Sequence, residues 1–226
     1  SGSADTSNAV TLRKGLEANG FEVNPELSNL YSNWVNLGIA STSDAADVDT
    51  SQTNSLEQTV TADYSVNELP AQYLTADILN SAKSFSDTAV VVFSRTGSEG
   101  TDLRYDYLRL SEDEKTMLSA VCGAFDNVIV LVNAVNPMEL GFIEEYGSIK
   151  SALMIGAVGN TGMKAVGEIL SGSVNPSGRT VDTYAYDLMS NPANLMIASN
   201  QWHDGGDRDE KLQNTYFMNY YEGIYI

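Results

Sequence analysis

Three strand-length runs, read as apolar throughout, are separated by segments of helical period, and this alternation limits the fold more than any other feature. The runs lie at 88–93, 128–132 and 149–155. A strand with one solvated face alternates polar and apolar residues. A continuous apolar run is instead buried on both faces, as in parallel sheets whose crossovers lay helices on either side. Between the runs, Leu74, Ile78 and Ala82 recur at spacing four within 70–83. Ser111 opens a second helix with Glu114 completing a capping box, and Met117, Leu118, Val121 and Phe125 form its inner stripe. A short helix is expected at 138–146, and a strong one at 163–170 stopped by Gly172. The pattern predicts an α/β domain in which the three runs are adjacent, interior strands of a mainly parallel sheet with right-handed crossovers. Upstream, Val10, Leu12 and Leu16 predict a short helix ended by Asn19-Gly20, and 21–23 a short strand.

Composition bounds the function. The chain has 226 residues, 42% hydrophobic and 19% charged, so a folded domain is expected rather than a disordered one. The net charge of -18 repels phosphate backbones and anionic lipid surfaces, which argues against nucleic-acid and membrane roles and suits a neutral ligand. Cys122 is the only cysteine and sits in an apolar helical pattern, so it reads as a small buried hydrophobe; no intrachain disulfide or multi-thiolate metal site can form. No metal or cofactor is expected. Residues 15–82 contain no Lys or Arg, and 41–65 reads as an acidic surface excursion rich in Ser, Thr, Asp and Ala. Beyond residue 183 the periodicity fades into an aromatic-rich tail, so 1–183 is taken as the domain and 184–226 as a segment leading to a neighbour.

Ligands of open parallel sheets bind in the loops that leave the carboxyl ends of the strands. Three such loops are expected: 94–102, one starting at Asn133, and 156–162. Only the first offers acid/base groups, with Glu99 between Gly97 and Gly100 and with Arg95 and Asp102 close by. The 156–162 stretch lacks the G-x-G start of a dinucleotide fingerprint and reads as a turn into a helix. His203, the sole histidine, stands in a polar run and reads as surface.

Several spaced motifs carry a resemblance. They are L-R-K-G-L-E-A-N-G-F-E-V-N at 12–24, V-V-F-S-R-T-G-S-E-G-T-D at 91–102, Y-L-R-L-S-E-D-E-K at 107–115, N-P-S-G-R-T-V-D-T at 175–183 and Y-E-G-I-Y at 221–225. In this order the chain resembles the second, C-terminal α/β domain of glycoside hydrolase family 3, the β-glucosidase and β-xylosidase family. The resemblance implies a three-layer sandwich with a mostly parallel sheet of about six strands, the first of which is missing here. It implies that Glu99 is the general acid/base of a retaining β-glycosidase, β-glucosidase being the expected activity, and that Arg95, Thr101 and Asp102 bind substrate. The implied partners are a β-glucoside or related oligosaccharide, a barrel domain carrying an aspartate nucleophile, and a fibronectin-like domain. The loop reads G-S-E-G where the family pattern is S-G-E-G, and Leu103 stands where an Arg often follows the aspartate. No S-D-W type nucleophile motif is found, so the chain alone is expected to be inactive. Two alternatives stay open: a non-catalytic carbohydrate-binding or structural domain that buttresses the barrel and, more distantly, a small-nucleotide or phosphate binder of flavodoxin type. Location is left between the bacterial cytoplasm and secretion, leaning to the cytoplasm.

Overall fold

The computed structural model describes residues 7–36, 68–95 and 105–190. In chain order these hold α1 (Leu12–Glu17), α2 (Pro25–Asn36), a 3-10 turn (Ala71–Tyr73), α3 (Ala76–Phe85), β1 (Thr88–Arg95), a second 3-10 turn (Tyr105–Leu108), α4 (Glu112–Ala124), β2 (Asn127–Ala134), α5 (Phe142–Glu145), β3 (Ile149–Met154), α6 (Met163–Leu170) and a last 3-10 turn (Leu188–Ser190). The sheet is parallel in the order β1-β2-β3. The α/β reading is therefore correct. Among the described residues the sheet has three strands.

The three runs are neighbours as expected, but β2 alone has a strand on each side among the described residues. Register along β1 and β2 is unbroken, from Thr88 opposite Asn127 to Arg95 opposite Ala134. In β2, Val128, Val130 and Leu131 are fully buried and Val132 nearly so. Burying such a side chain contributes about 1.5–3 kcal/mol relative to leaving it in water, so β2 is the hydrophobic spine of the domain. β3 departs from the expectation of an interior strand: residues 150–152 are exposed. The cause is visible in its sequence, because Lys150 and Ser151 interrupt the apolar run. The outer strand β1 likewise exposes Val90 and Ser94.

One face of the sheet carries the core. Phe93, Leu118, Val128, Val130, Val132 and Met138 meet there with Leu69 and Met117. Phe93 and Phe142 add an edge-to-face pair, with ring centres 5.2 Å apart. α4 begins as its sequence requires: Ser111 Oγ accepts from the Glu114 amide, and the Glu114 side chain accepts from the Ser111 amide. Cys122 is half-buried and packs against the core.

Three local expectations change. Residues 21–23 form no strand, and Phe21 stays partly exposed. α2 follows instead, entered through Asn24, whose Oδ1 accepts from the Glu26 and Leu27 amides, with Pro25 at the first helical position. Leu27, Leu30, Tyr31 and Trp34 turn one stripe of α2 to the core. The stretch 70–83 splits into a 3-10 turn and α3, because Thr75 Oγ1 caps a new helix by accepting from the Ile78 amide. The helix expected over 138–146 shrinks to α5. The Glu139 amide donates to Leu108 O and the Leu140 amide to Ala185 O, so this backbone is committed to other segments.

α1 and α6 cross at two glycines. A Cβ on Gly15 would collide with the Met163 carbonyl, and one on Gly167 with the Gly15 carbonyl. Asn19 Nδ2 bridges the pair, donating to Gly15 O and Lys164 O. α6 ends as predicted, with Gly172 at a φ of 76°. The start of the aromatic segment packs on the body of the domain, where Tyr186 Oη donates to Glu144 and the Leu188 amide to Glu139. The acidic excursion at 41–65, His203 and residues 191–226 lie outside the described residues.

Candidate active site

The carboxyl edge of the sheet is where the three predicted loops begin. Ser94 stands opposite Asn133 and Arg95 opposite Ala134, while Val132 is level with Met154. Asn133 Nδ2 donates to Ser94 Oγ over 3.4 Å, so the first two loops are tied where they leave the sheet. The third turns sharply through Gly156 and Gly159, with φ values of 58° and 62°, before α6. Beyond Ala134, Asn136 is buried; its Nδ2 donates to Pro137 O and its Oδ1 has no hydrogen-bond partner among the described residues.

Of the four residues singled out from sequence, Glu99, Thr101 and Asp102 lie outside the described residues. Arg95 is described, and its guanidinium points inward. Its side chain is 0% exposed, and that of its partner Glu114 is 3% exposed. The pair is bidentate, Nη1 to Oε1 at 2.8 Å and Nη2 to Oε2 at 2.7 Å. Nε donates to Tyr107 O, Nη1 to Ser94 O and Nη2 to Arg109 O. Together these are five hydrogen bonds, one for each N–H that a guanidinium carries. The Tyr107 ring covers the guanidinium with 5.4 Å between Cζ and the ring centre. In this arrangement Arg95 has no donor left to offer a sugar hydroxyl. What the geometry gives it is a grip on the chain at 94, at 107 and at 109.

Glu114 is the residue whose second role was not legible in sequence. Its Oε2 accepts at once from Arg95 Nη2 and from the Ser111 amide. The capping box announced the second bond; nothing in the spacing announced the first, across 19 positions.

A second carboxyl, half-buried, lies near the first. Glu68 Oε1 accepts from Tyr31 Oη at 2.9 Å and from the Leu69 amide at 2.8 Å. Partial burial raises the Glu68 pKa from its ordinary value, and the charges of Glu114 and Asp113 add to that, while its two hydrogen bonds oppose it. Burial, with Glu68 close by, pushes the Tyr31 hydroxyl far above its ordinary value. Burial also raises the Cys122 thiol, which disfavours the thiolate.

No group of His, Cys, Asp and Glu among the described residues is arranged to hold a metal ion, and no helix among them is long and apolar enough to cross a membrane. A hollow of about 220 Å³ beside α4 and α5, lined by Arg109, Lys115, Glu139, Tyr146 and Tyr186 among others, is smaller than the ~300–1,000 Å³ usual for ligand sites.

The profile of the glycosyl hydrolase family 3 C-terminal domain matches residues 1–226. The chain belongs to glycoside hydrolase family 3. Among curated relatives, a β-glucosidase of Ruminococcus albus is 31% identical over 118 residues, covering 51% of this chain and 12% of that protein. β-Glucosidase A of Butyrivibrio fibrisolvens is 28% identical over 177 residues, covering 68% of this chain and 20% of the relative. The solved structure of a β-glucosidase from Paenibacillus barengoltzii superposes with a TM-score of 0.68 at 29% identity, over 83% of this chain and 19% of that one. β-Glucosidase 3B of Thermotoga neapolitana, solved in complex with glucose, shares the fold with a TM-score of 0.64 at 22% identity, over 82% of this chain and 24% of that one. The chain thus spans at most about a quarter of each of these proteins.

Proposed function

We propose that this family 3 domain belongs to a retaining β-glucosidase and supplies its general acid/base, Glu99. The observation that carries the reading is positional. The segment bearing Glu99 leaves β1 at Arg95, at the carboxyl edge of a parallel sheet, in a chain that the family profile matches throughout. That edge is where α/β sheets present ligand-binding loops.

In the proposed reaction an aspartate on a neighbouring barrel domain attacks the anomeric carbon. The bond to the leaving oxygen breaks as Glu99 gives that oxygen its proton, leaving a glycosyl-enzyme and a Glu99 carboxylate. The carboxylate then takes a proton from water, which attacks the same carbon and releases the aspartate with overall retention. Retaining pairs hold their carboxyls about 5–5.5 Å apart, so the two domains must bring these groups together across their interface. Thr101 and Asp102 are the proposed substrate contacts of the same segment. The proposed partners are the barrel and fibronectin-like domains and a terminal β-glucosyl residue.

The test is Glu99→Ala in the full-length enzyme, assayed on aryl β-glucosides of graded leaving-group pKa. Losing the acid should cost about 10²–10⁴-fold on poor leaving groups and much less on good ones, which need little protonation. Azide should restore turnover of the good ones, since an anion attacks the glycosyl-enzyme without base help. An equal loss on all substrates with no azide response would refute the assignment.

A further inference from the structure

The segment that carries Glu99 runs between two stretches of chain, and one side chain grips both. On the β1 side, Arg95 is itself the last residue of the strand and donates back to Ser94 O. On the far side it donates to Tyr107 O in the second 3-10 turn and to Arg109 O just before α4. The same guanidinium is held by Glu114, which the capping box locks to the first turn of α4.

We propose that the Arg95–Glu114 pair is a positioning device for the acid/base segment, setting the spacing and direction of the chain at residue 95 and at 107–109, and through them the place of Glu99. The proposal rests on Glu99 being the acid/base.

Stability is a poor explanation for such a pair. Charges this deeply buried are costly to desolvate, and well-packed apolar residues often replace a buried ion pair with no loss. Apolar residues cannot, however, bind three carbonyls from one rigid plane. The guanidinium is planar, so its N–H directions are fixed relative to one another, and the carbonyls of Ser94, Tyr107 and Arg109 are fixed with them. Lysine could satisfy some of these acceptors but would impose no common plane. Placement is what acid catalysis is sensitive to: a displacement of about 1 Å can cost about 10²-fold. Arg95 and Glu114 are therefore positioning residues, acting through the backbone rather than on the sugar.

The experiment uses the full-length enzyme with Arg95→Lys, Glu114→Gln and, as reference, Glu99→Ala. For each preparation, kcat/KM is measured on 2,4-dinitrophenyl and phenyl β-glucosides. The ratio of the two does not depend on how much of the protein is folded, because both substrates report the same active molecules. Glu114→Gln keeps the capping box, which accepts Gln as well as Glu, so it guards against loss of α4. The expected result is that Arg95→Lys loses about 10²-fold on the phenyl glucoside and less than about tenfold on the dinitrophenyl one. Glu114→Gln should shift the ratio the same way by a smaller factor, and azide should accelerate both variants on the dinitrophenyl substrate. An unchanged ratio in both variants, with a raised ratio in Glu99→Ala, would overturn the positioning role while leaving the acid/base intact. An unchanged ratio in Glu99→Ala would instead remove the acid/base reading and this proposal with it. Failure of both variants to give soluble enzyme would assign the pair to stability and overturn the proposal as well.

Discussion

Two carboxyl groups close to α4, Glu114 buried and Glu68 half-buried, are handled in opposite ways. Glu114 is met by a guanidinium that spends every donor inside the protein, and by the Ser111 amide. Glu68, near enough to feel the charges of Glu114 and Asp113, is held among the described residues by neutral donors, Tyr31 Oη and the Leu69 amide. The first arrangement fixes a charge and the chain around it. The second leaves burial as the strongest influence on Glu68 and raises its pKa. Removal from water alone therefore does not tell what a carboxyl does: the partner decides whether its charge is fixed as an anchor or made less favourable. The anchor sits where chain direction matters to the proposed chemistry, at the root of the Glu99 segment.

The most severe way to break this contrast is Arg95→Ala, which leaves Glu114 buried without its counter-charge and three carbonyls without their donor. A loss of about 3–5 kcal/mol is expected, read as a lower denaturant midpoint for this domain in the parent enzyme. A loss below about 1 kcal/mol would mean that water or another cation replaces the guanidinium.

Ser111→Ala is milder. It removes the hydroxyl that accepts from the Glu114 amide but leaves both the Arg95–Glu114 pair and the Ser111 amide in place. Loss of such a cap costs about 1 kcal/mol. If the ion pair were merely a consequence of the capping box, Ser111→Ala would instead weaken the domain nearly as much as Arg95→Ala, and unfolding curves of the two side by side decide it.

The smallest effect, and the only one that depends on pH, concerns Glu68. Its folded pKa is raised, so between the unfolded value near ~4.3 and the raised one the folded state binds more protons than the unfolded chain. Stability from this group is then fully present below the unfolded value and falls as pH climbs through the window. Glu68→Gln cannot ionise, and its Oε1 can keep the bonds from Tyr31 and Leu69. The variant should be more stable than wild type at neutral pH, with the difference vanishing below about pH 4. Unfolding midpoints measured across that range would sink the idea if the two curves ran parallel.

The elements that sequence made legible are those whose signals are local. The capping box of α4, the glycine stop after α6 and the apolar run of β2 each depend on residues a few positions apart, and each appears where expected. α2 carries local signals too, Asn24-Pro25 at its start and the stripe of Leu27, Leu30, Tyr31 and Trp34 along one side. The helix read across 138–146 overshot because its backbone amides go to Leu108 and Ala185, partners that no local pattern names. The site divides the same way. Its location at the carboxyl edge follows from strand order and parallel direction, both implied by alternation along the chain. The inward turn of Arg95 does not follow. Read in its loop, that residue looks like a cation facing a ligand; only the fold brings Glu114, Tyr107 and Arg109 around it. Hydrophobic period and capping are short-range and survive being read one residue at a time. The partner of a buried charge is chosen by which distant segments the packed core brings within hydrogen-bond reach, and that choice exists only in three dimensions.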